Sequence, residues 1–305
     1  MTAYVARRLL MLALTLLGVT TLLFLLRSQL GDPTLFLLPP DASEQARVEL
    51  LRRLGLDRPL GEQYLAFIGH ALRGDLGLSW RYNQPVLPLV LEALPATLML
   101  AGAALGLGLA CAIPLGVAAA VRRDSWVDTV ASFVAVTGQA MPVYWSGLLL
   151  ILLFSSTLRL LPSMGAEGWA ALILPAATLG LNTMARIMRI TRSAMLDVLG
   201  QDFVRMVRAK GLPETVVVIR HALRNAAVPI VALVGLQLGS LLGGAVLVET
   251  VFAWPGVGRV AVNAVYARDF PLVQAVALVV TVLFSVINLA VDLIAASLNP
   301  QIRLE

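Results

Sequence analysis

The chain has 305 residues, of which 59% are hydrophobic and 13% are charged, and its mean hydropathy is +0.85. A soluble domain carries roughly a quarter charged residues, so this composition excludes an ordinary soluble protein and indicates that lipid surrounds most of the chain. The net charge of +5 does not indicate nucleic-acid binding, because the basic residues sort by side of the predicted membrane, and the single cysteine, Cys111, excludes an internal disulfide and a cysteine-based zinc site.

Six stretches are long and apolar enough to be membrane-spanning helices, which need about 20 mostly apolar residues. In chain order they are 9–26, 94–121, 127–158, 170–191, 226–248 and 272–298. The third and sixth stretches exceed that length, so we expect tilt or a break. The first stretch is longer than a signal-peptide core and no small-residue cleavage site follows it, so we predict an uncleaved anchor.

An even number of spans with an inner N-terminus gives the inner segments an excess of basic residues, as the positive-inside rule requires. The excess lies mainly in Arg122-Arg123 and in the 186–224 segment. We therefore predict that both termini are cytoplasmic. The expected organisation is an anchor at 1–27, an outer helical segment at 28–93, a transmembrane core at 94–298 with an inner loop at about 192–225, and a cytoplasmic tail at 299–305.

The outer segment is predicted to form a small helical cap. Residues 42–54 have the pattern of an amphipathic helix, which Asp41-Ala42-Ser43-Glu44 begins and Gly55 ends. A second helix is expected at about 60–72.

Proline, glycine and acidic residues mark special positions in the spans. Pro142 follows Gly138-Gln139 in the third span, which indicates either a packed kink or a polar lining of a solute path. Pro175 and Pro229 are predicted near helix starts, where proline costs little. Asp292 in the sixth span is either a proton site or one partner of a structural ion pair.

Three glycines of the fifth span recur every four residues and so share one helix face. A face of small residues lets another helix approach closely, either from this chain or from a partner subunit. The three are Gly235, Gly239 and Gly243.

The inner loop is predicted to hold an amphipathic helix. Its apolar face combines Leu196, Leu199, Phe203 and Met206, and its polar face combines Asp197, Gln201, Arg205 and Arg208. Gly211 is expected to end this helix, and Pro213 to open the next. Such an element either lies at the lipid headgroups or receives a push from a soluble partner.

The inner loop resembles that of binding-protein-dependent ABC permeases, and the chain is most similar to the dipeptide/oligopeptide/nickel permease family. The likeness extends over nearly the whole chain. Its motifs include Gly74-Asp75-Leu76-Gly77-Leu78-Ser79, Asp202-Phe203-Val204-Arg205-Met206-Val207-Arg208-Ala209-Lys210-Gly211, Glu249-Thr250-Val251-Phe252-Ala253-Trp254-Pro255-Gly256-Val257-Gly258-Arg259, Arg268-Asp269-Phe270-Pro271 and Asn299-Pro300-Gln301-Ile302-Arg303.

The resemblance implies an all-α membrane protein with six transmembrane helices and the MetI-like fold of type I ABC importer permeases. It implies four kinds of partner: a second homologous permease subunit, two cytoplasmic ABC ATPase subunits, an outer solute-binding protein and membrane lipid. The 203–211 helix would dock in a groove of the ATPase. One departure is Arg205-Met206-Val207, where the general family pattern has Glu-Ala-Ala. The residues expected to couple to the ATPase are Asp202, Phe203, Arg205, Arg208, Ala209, Lys210 and Gly211.

The sequence has no phosphate-binding loop of the Gly-x-x-x-x-Gly-Lys-Ser/Thr type, so we expect no ATP hydrolysis, no cofactor and no metal on this chain, with ATP and Mg used by the partners. The expected cargo is a di- or oligopeptide, with glutathione or chelated nickel as alternatives. The rival class is an ion-coupled transporter with Asp292 as the coupling acid. An intramembrane protease using Ser146 is disfavoured, because His70 and His221 both lie outside the predicted spans.

Overall fold

A computed structural model describes residues 2–29, 38, 41–53 and 55–298, with the backbone alone for 2–6, 27–29, 53 and 292–298. The described part contains eleven α-helices of eight residues or more and no strand, with one isolated antiparallel bridge between Leu78 and Pro85. The helices are α1 Thr2–Gln29, α2 Glu44–Arg53, α3 Leu60–Ala71, α4 Val86–Val121, α5 Trp126–Ala140, α6 Val143–Leu150, α7 Ala170–Leu199, α8 Asp202–Ala209, α9 Leu223–Val251, α10 Val257–Tyr266 and α11 Phe270–Leu298.

Five helical stretches of the described chain are each long and apolar enough to cross a membrane: Arg7–Leu26, Val86–Val121, Ala170–Leu199, Glu214–Val251 and Phe270–Val291. A sixth candidate is α5 together with α6, which continues as the π-helical turn Ile151–Thr157. These two helices meet at an angle of 110°. The break expected in the third span is therefore present, and it lies at Met141-Pro142, where the backbone is extended and Pro142 begins α6.

The start of the fifth span differs from the prediction. Residues Glu214–Val216 and the π-helical turn Val217–Ala222 run directly into α9, so the helix begins after Pro213. Pro229 therefore lies inside the helix, and its predicted place near the start is wrong. Because no turn separates the inner run from the span, the missing backbone N–H of Pro229 must be accommodated within a continuous helix.

The compact unit formed by Ala96–Arg259 with Val286–Glu305 has α7 at its centre. Its core consists of small alanines and a few large side chains, among them Ile187, Met188 and Met195, all at most 1% exposed. Small residues let α4 and α7 approach closely. A Cβ on Gly180 would lie 2.7 Å from the Ala104 carbonyl oxygen, and a Cβ on Gly116 would lie 2.7 Å from Thr191 Cβ.

The second compact unit combines Met1–Pro95 with Val260–Ser285 and contains the predicted outer segment. Ser43 Oγ accepts from Ala46 N (3.3 Å) at the start of α2, and Gly55 has a left-handed φ of +66° after its end. Both predicted helices of the outer segment are therefore present, as α2 and α3. The side chain of Tyr64 on α3 contacts α1, with 2.6 Å between its hydroxyl and Thr21 Oγ1.

Two of the motifs quoted for the family resemblance meet in this second unit. The buried Asp269 carboxylate accepts from Ser79 Oγ and from the backbone N–H of Trp80 (3.2 Å), and it caps α11 through Leu272 N (3.4 Å). Trp80 and Phe270 pack edge to face with ring centroids 5.6 Å apart. The Gly74–Ser79 segment is thus held at the start of α11.

Candidate solute path and coupling segment

The helix α7 carries a single exposed stripe on its C-terminal half. None of its side chains from Ala170 to Ala185 is exposed, and beyond them the exposed side chains recur every three or four residues. That spacing places them on one face. They are Arg186, Arg189, Ile190, Ser193 and Asp197.

Arg186 and Arg189, at the N-terminal end of this stripe, are each bound by a glutamine from another helix. Arg189 Nη1 donates to Gln139 Oε1 (3.0 Å), and Arg186 Nη1 donates to Oε1 of the buried Gln237 (3.3 Å). Asn182 Nδ2 donates to the Gln139 carbonyl oxygen (3.4 Å) just before the break at Pro142. A polar seam, defined as Gln139, Asn182, Arg186, Arg189 and Gln237, therefore joins α5, α7 and α9. The structure places the predicted path residue Gln139 in this seam.

A buried ion pair lies one helical turn further along α7. Arg192 Nε and Nη2 donate to the two carboxylate oxygens of Asp128, at 2.5 and 2.7 Å. The Asp128 carboxylate also accepts from Asp124 N (3.1 Å), so it holds the connection before α5 as well. Arg192 thus donates twice to a carboxylate, whereas Arg186 and Arg189 each donate to a glutamine. A partner 64 positions away leaves no local signal in the sequence.

The predicted inner helix is divided into two by a turn. Helix α7 ends at Leu199, Gly200 and Gln201 form the turn, and α8 begins at Asp202. The turn resets the helical period, so the predicted apolar face is partly wrong. Val204 is fully buried and Phe203 half-buried against the core, whereas Met206 is 58% exposed.

The remaining predicted coupling residues lie on the outward face of α8 and on the turn that follows. Asp202, Arg205, Arg208, Ala209, Lys210 and Gly211 are all exposed. Arg208 forms a bidentate pair with Glu214 (2.6 and 3.1 Å), which raises the pKa of the guanidinium and ties α8 to the next helix. Gly211 has a φ of +76°, as its predicted role as helix stop requires, and no atom lies within 4 Å of a Cβ built on it.

The three glycines singled out in the fifth span have different surroundings. A Cβ on Gly235 would collide with the side chain of Val291, and Gly239 is buried. Gly243 is exposed, with no atom within 4 Å of a Cβ built on it in the described chain. Ser146 Oγ donates to the Val143 carbonyl oxygen (2.8 Å), and the side chain of Asp292 lies outside the described residues.

Glu249 is a buried acidic residue that the sequence analysis did not identify. It is fully buried near the end of α9, where its carboxylate accepts from Thr97 Oγ1 (2.6 Å) and from Arg259 N (3.1 Å) in the first turn of α10. Val257 N in turn donates to Thr97 Oγ1 (2.8 Å). Gly256 packs against this carboxylate so closely that a Cβ would collide with it. The spacing Glu249…Gly256 thus builds a helix cap. An acid at the end of an apolar span was the available signal.

The described residues contain no group of three or more His, Cys, Asp or Glu side chains placed to hold a metal ion. The candidate site consists of the polar seam, which joins three apolar helices, and of the exposed, basic helix α8.

Comparisons with known proteins agree on one family. Residues 112–304 match the family model of the binding-protein-dependent transport system inner membrane component. The chain is 43% identical over 98% of both chains to the glutathione transport system permease protein GsiC of Salmonella choleraesuis (strain SC-B67), and equally to that of Escherichia coli (strain K12).

Solved structures show the same fold. An inward-facing conformation of the MetNI methionine ABC transporter matches with a TM-score of 0.59 at 20% identity, covering 69% of this chain and 96% of the other. An amino acid ABC transporter with histidines matches with a TM-score of 0.52 at 18% identity, covering 69% and 94%.

Proposed function

Because the chain belongs to the family of binding-protein-dependent transport system inner membrane components, we propose that it passes small peptides, glutathione among them, across the inner membrane. As a member of this family it is a multi-pass inner-membrane permease subunit of an ABC importer with the type I fold, and it is not an enzyme. The near full-length similarity to glutathione permeases supports this cargo. No observation favours the chelated-nickel alternative.

The proposed assembly contains a second permease, two ATPase subunits and an outer solute-binding protein, with both termini of this chain in the cytoplasm. We propose that α8 is the surface on which an ATPase subunit docks. Val204 anchors the helix in the core, while Arg205, Met206 and Ala209 stay exposed on the other side. An exposed apolar side chain among basic ones suits a partner's groove. Met206 can therefore contact the partner, which it could not do if it were buried as predicted.

Uptake by proteoliposomes tests this function. The full importer, with its partner permease, ATPase subunits and binding protein, is reconstituted and supplied with labelled glutathione. We expect uptake that requires ATP on the cytoplasmic side and the binding protein on the other. Uptake driven by a proton or sodium gradient without ATP would instead support the ion-coupled transporter. ATP-dependent uptake of a nickel chelate but of no peptide would keep the importer and overturn the cargo.

A further inference from the structure

Arg186 and Arg189 are charged side chains within the candidate span Ala170–Leu199. Arg186 is about 24 Å along the helix axis from Ala170, at 1.5 Å per residue, so both guanidinium groups belong to the C-terminal half of this candidate span. In the described part of the chain no carboxylate lies within ion-pair distance of either guanidinium. Both side chains are exposed, on the same stripe of α7 as Ile190, Ser193 and Asp197.

Water or a polar ligand explains this exposure better than lipid does. An arginine within a span costs several kcal/mol at the centre of the hydrocarbon region and less near a helix end, and it normally faces the interior of a bundle or a water-filled cavity. The contacts with the glutamines leave room for such a polar ligand. Each glutamine accepts one N–H from one guanidinium, and the other N–H donors of that guanidinium stay available. A guanidinium has five N–H donors in a planar fork that matches a carboxylate.

Resting on the proposed peptide cargo, we propose that Arg186 and Arg189 form a carboxylate-recognition point on the solute path, which binds the carboxylate groups of the passing peptide. Side chains three residues apart on a helix are neighbours, roughly 5–6 Å between Cβ atoms, so the two guanidinium groups serve one carboxylate together or two in succession. Gln139 and Gln237 hold them in position from α5 and α9. Exposure keeps the binding weak enough for release, as passage requires.

The neighbouring Arg192 shows what a structural arginine on the same helix looks like. Its guanidinium is engaged at two nitrogen atoms by Asp128, and the pair is largely buried, with 29% and 7% of the two side chains exposed. The cargo can therefore use Arg186 and Arg189 without competing with an internal acid.

Charge restoration on single-cysteine permeases tests the proposal. Arg189→Cys and, separately, Arg186→Cys are made in a Cys111→Ser chain, assembled into the whole importer and treated with aminoethyl or methyl methanethiosulfonate. We expect each cysteine variant to take up glutathione about tenfold more slowly, the loss of roughly one charge-assisted hydrogen bond. The cationic adduct should restore most of the uptake and the neutral adduct should not. Arg123→Cys, at an exposed arginine paired only with the adjacent Asp124, is the control that neither reagent should alter.

Three results would overturn the proposal. The first is wild-type uptake by the Arg186→Gln and Arg189→Gln variants, as expected for side chains that reach lipid headgroups. The second is equal rescue by the neutral and cationic adducts. The third is loss of the second permease from the purified variants, which would assign the arginines to a subunit interface. If the wild-type importer moves another carboxylate-bearing peptide but not glutathione, the cargo is wrong and the same comparison is made with that peptide.

Discussion

Three arginines of α7 differ in role because their neighbours differ. Arg192 donates from Nε and Nη2 to the carboxylate of Asp128. Arg186 and Arg189 each donate to the amide oxygen of a glutamine. The residue type and its spacing, which are all that the sequence provides, do not separate the two cases. The separation comes from Asp128, which the chain brings to Arg192 at the start of α5.

Removal of the Asp128 charge should therefore destabilise the protein. Asp128→Asn leaves Arg192 without its ionic partner, and breaking a buried pair costs about 3 kcal/mol at the lower end of the usual range, which suits a pair whose arginine is partly exposed. The melting temperature of the purified complex in detergent should fall by several degrees. Asp124→Asn removes an exposed partner of Arg123 and should cost under ~1 kcal/mol. Equal effects of the two substitutions would contradict this assignment.

At the scale of elements, α4 and α7 approach each other closely at two points of the transmembrane core. Gly116 and Gly180 occupy these two points. The sequence pattern drew attention instead to Gly235, Gly239 and Gly243, because their four-residue spacing is visible within one helix. A glycine whose contact lies on another helix gives no such signal, so the α4–α7 contacts could not be predicted.

Gly180→Val should disrupt this close approach of α4 and α7. Its Cβ alone would approach the Ala104 carbonyl oxygen to 2.7 Å, and backbone on a packed helix cannot move as a side-chain end can. Overpacking of this kind typically costs about 1–3 kcal/mol. We expect a lower melting temperature and less assembled complex in membranes. Gly102→Val is the matched control on α4, where no atom lies within 4 Å of a Cβ, and a comparable loss there would refute the explanation.

The elements themselves were largely predictable, since long apolar stretches, the helix start at Ser43 and the stop at Gly211 are local properties. The predictions failed at two places, one where an unexpected turn interrupts a helix and one where an expected helix boundary is absent. Gly200 interrupts the inner helix and turns Met206 outward, while the π-helical turn at Val217–Ala222 removes an expected boundary before Pro229. The contact of Asp269 with Ser79 joins two motifs that a single sequence gives no reason to pair.

At the scale of the whole molecule, the basic 186–224 segment predicts which side of the membrane is cytoplasmic. Ser43 and Glu214 are both exposed and should face opposite compartments. In a Cys111→Ser chain, cysteines at these two positions should be labelled from opposite sides by an impermeant thiol reagent. Labelling of both from outside intact cells would contradict the proposed topology, and Cys111→Ser alone is the unlabelled control.

The central claim is that ATP hydrolysis reaches the solute path through α8 and the turn at Gly211. Gly211 has space for a Cβ in this chain, but its φ of +76° disfavours one by roughly 1–2 kcal/mol, and an added carboxylate would place a negative charge beside the basic docking face. Gly200→Asp is the matched control, because the same charge is added nearby at a φ of −79°.

The measurement is the amount of ATPase that co-purifies with each variant permease, together with ATP-dependent uptake by proteoliposomes. We predict that Gly211→Asp inserts normally into the membrane, loses most of its ATPase and takes up no solute, while Gly200→Asp keeps both. A Gly211→Asp permease that retains its ATPase and its uptake would contradict the coupling role and leave α8 as a helix at the lipid headgroups.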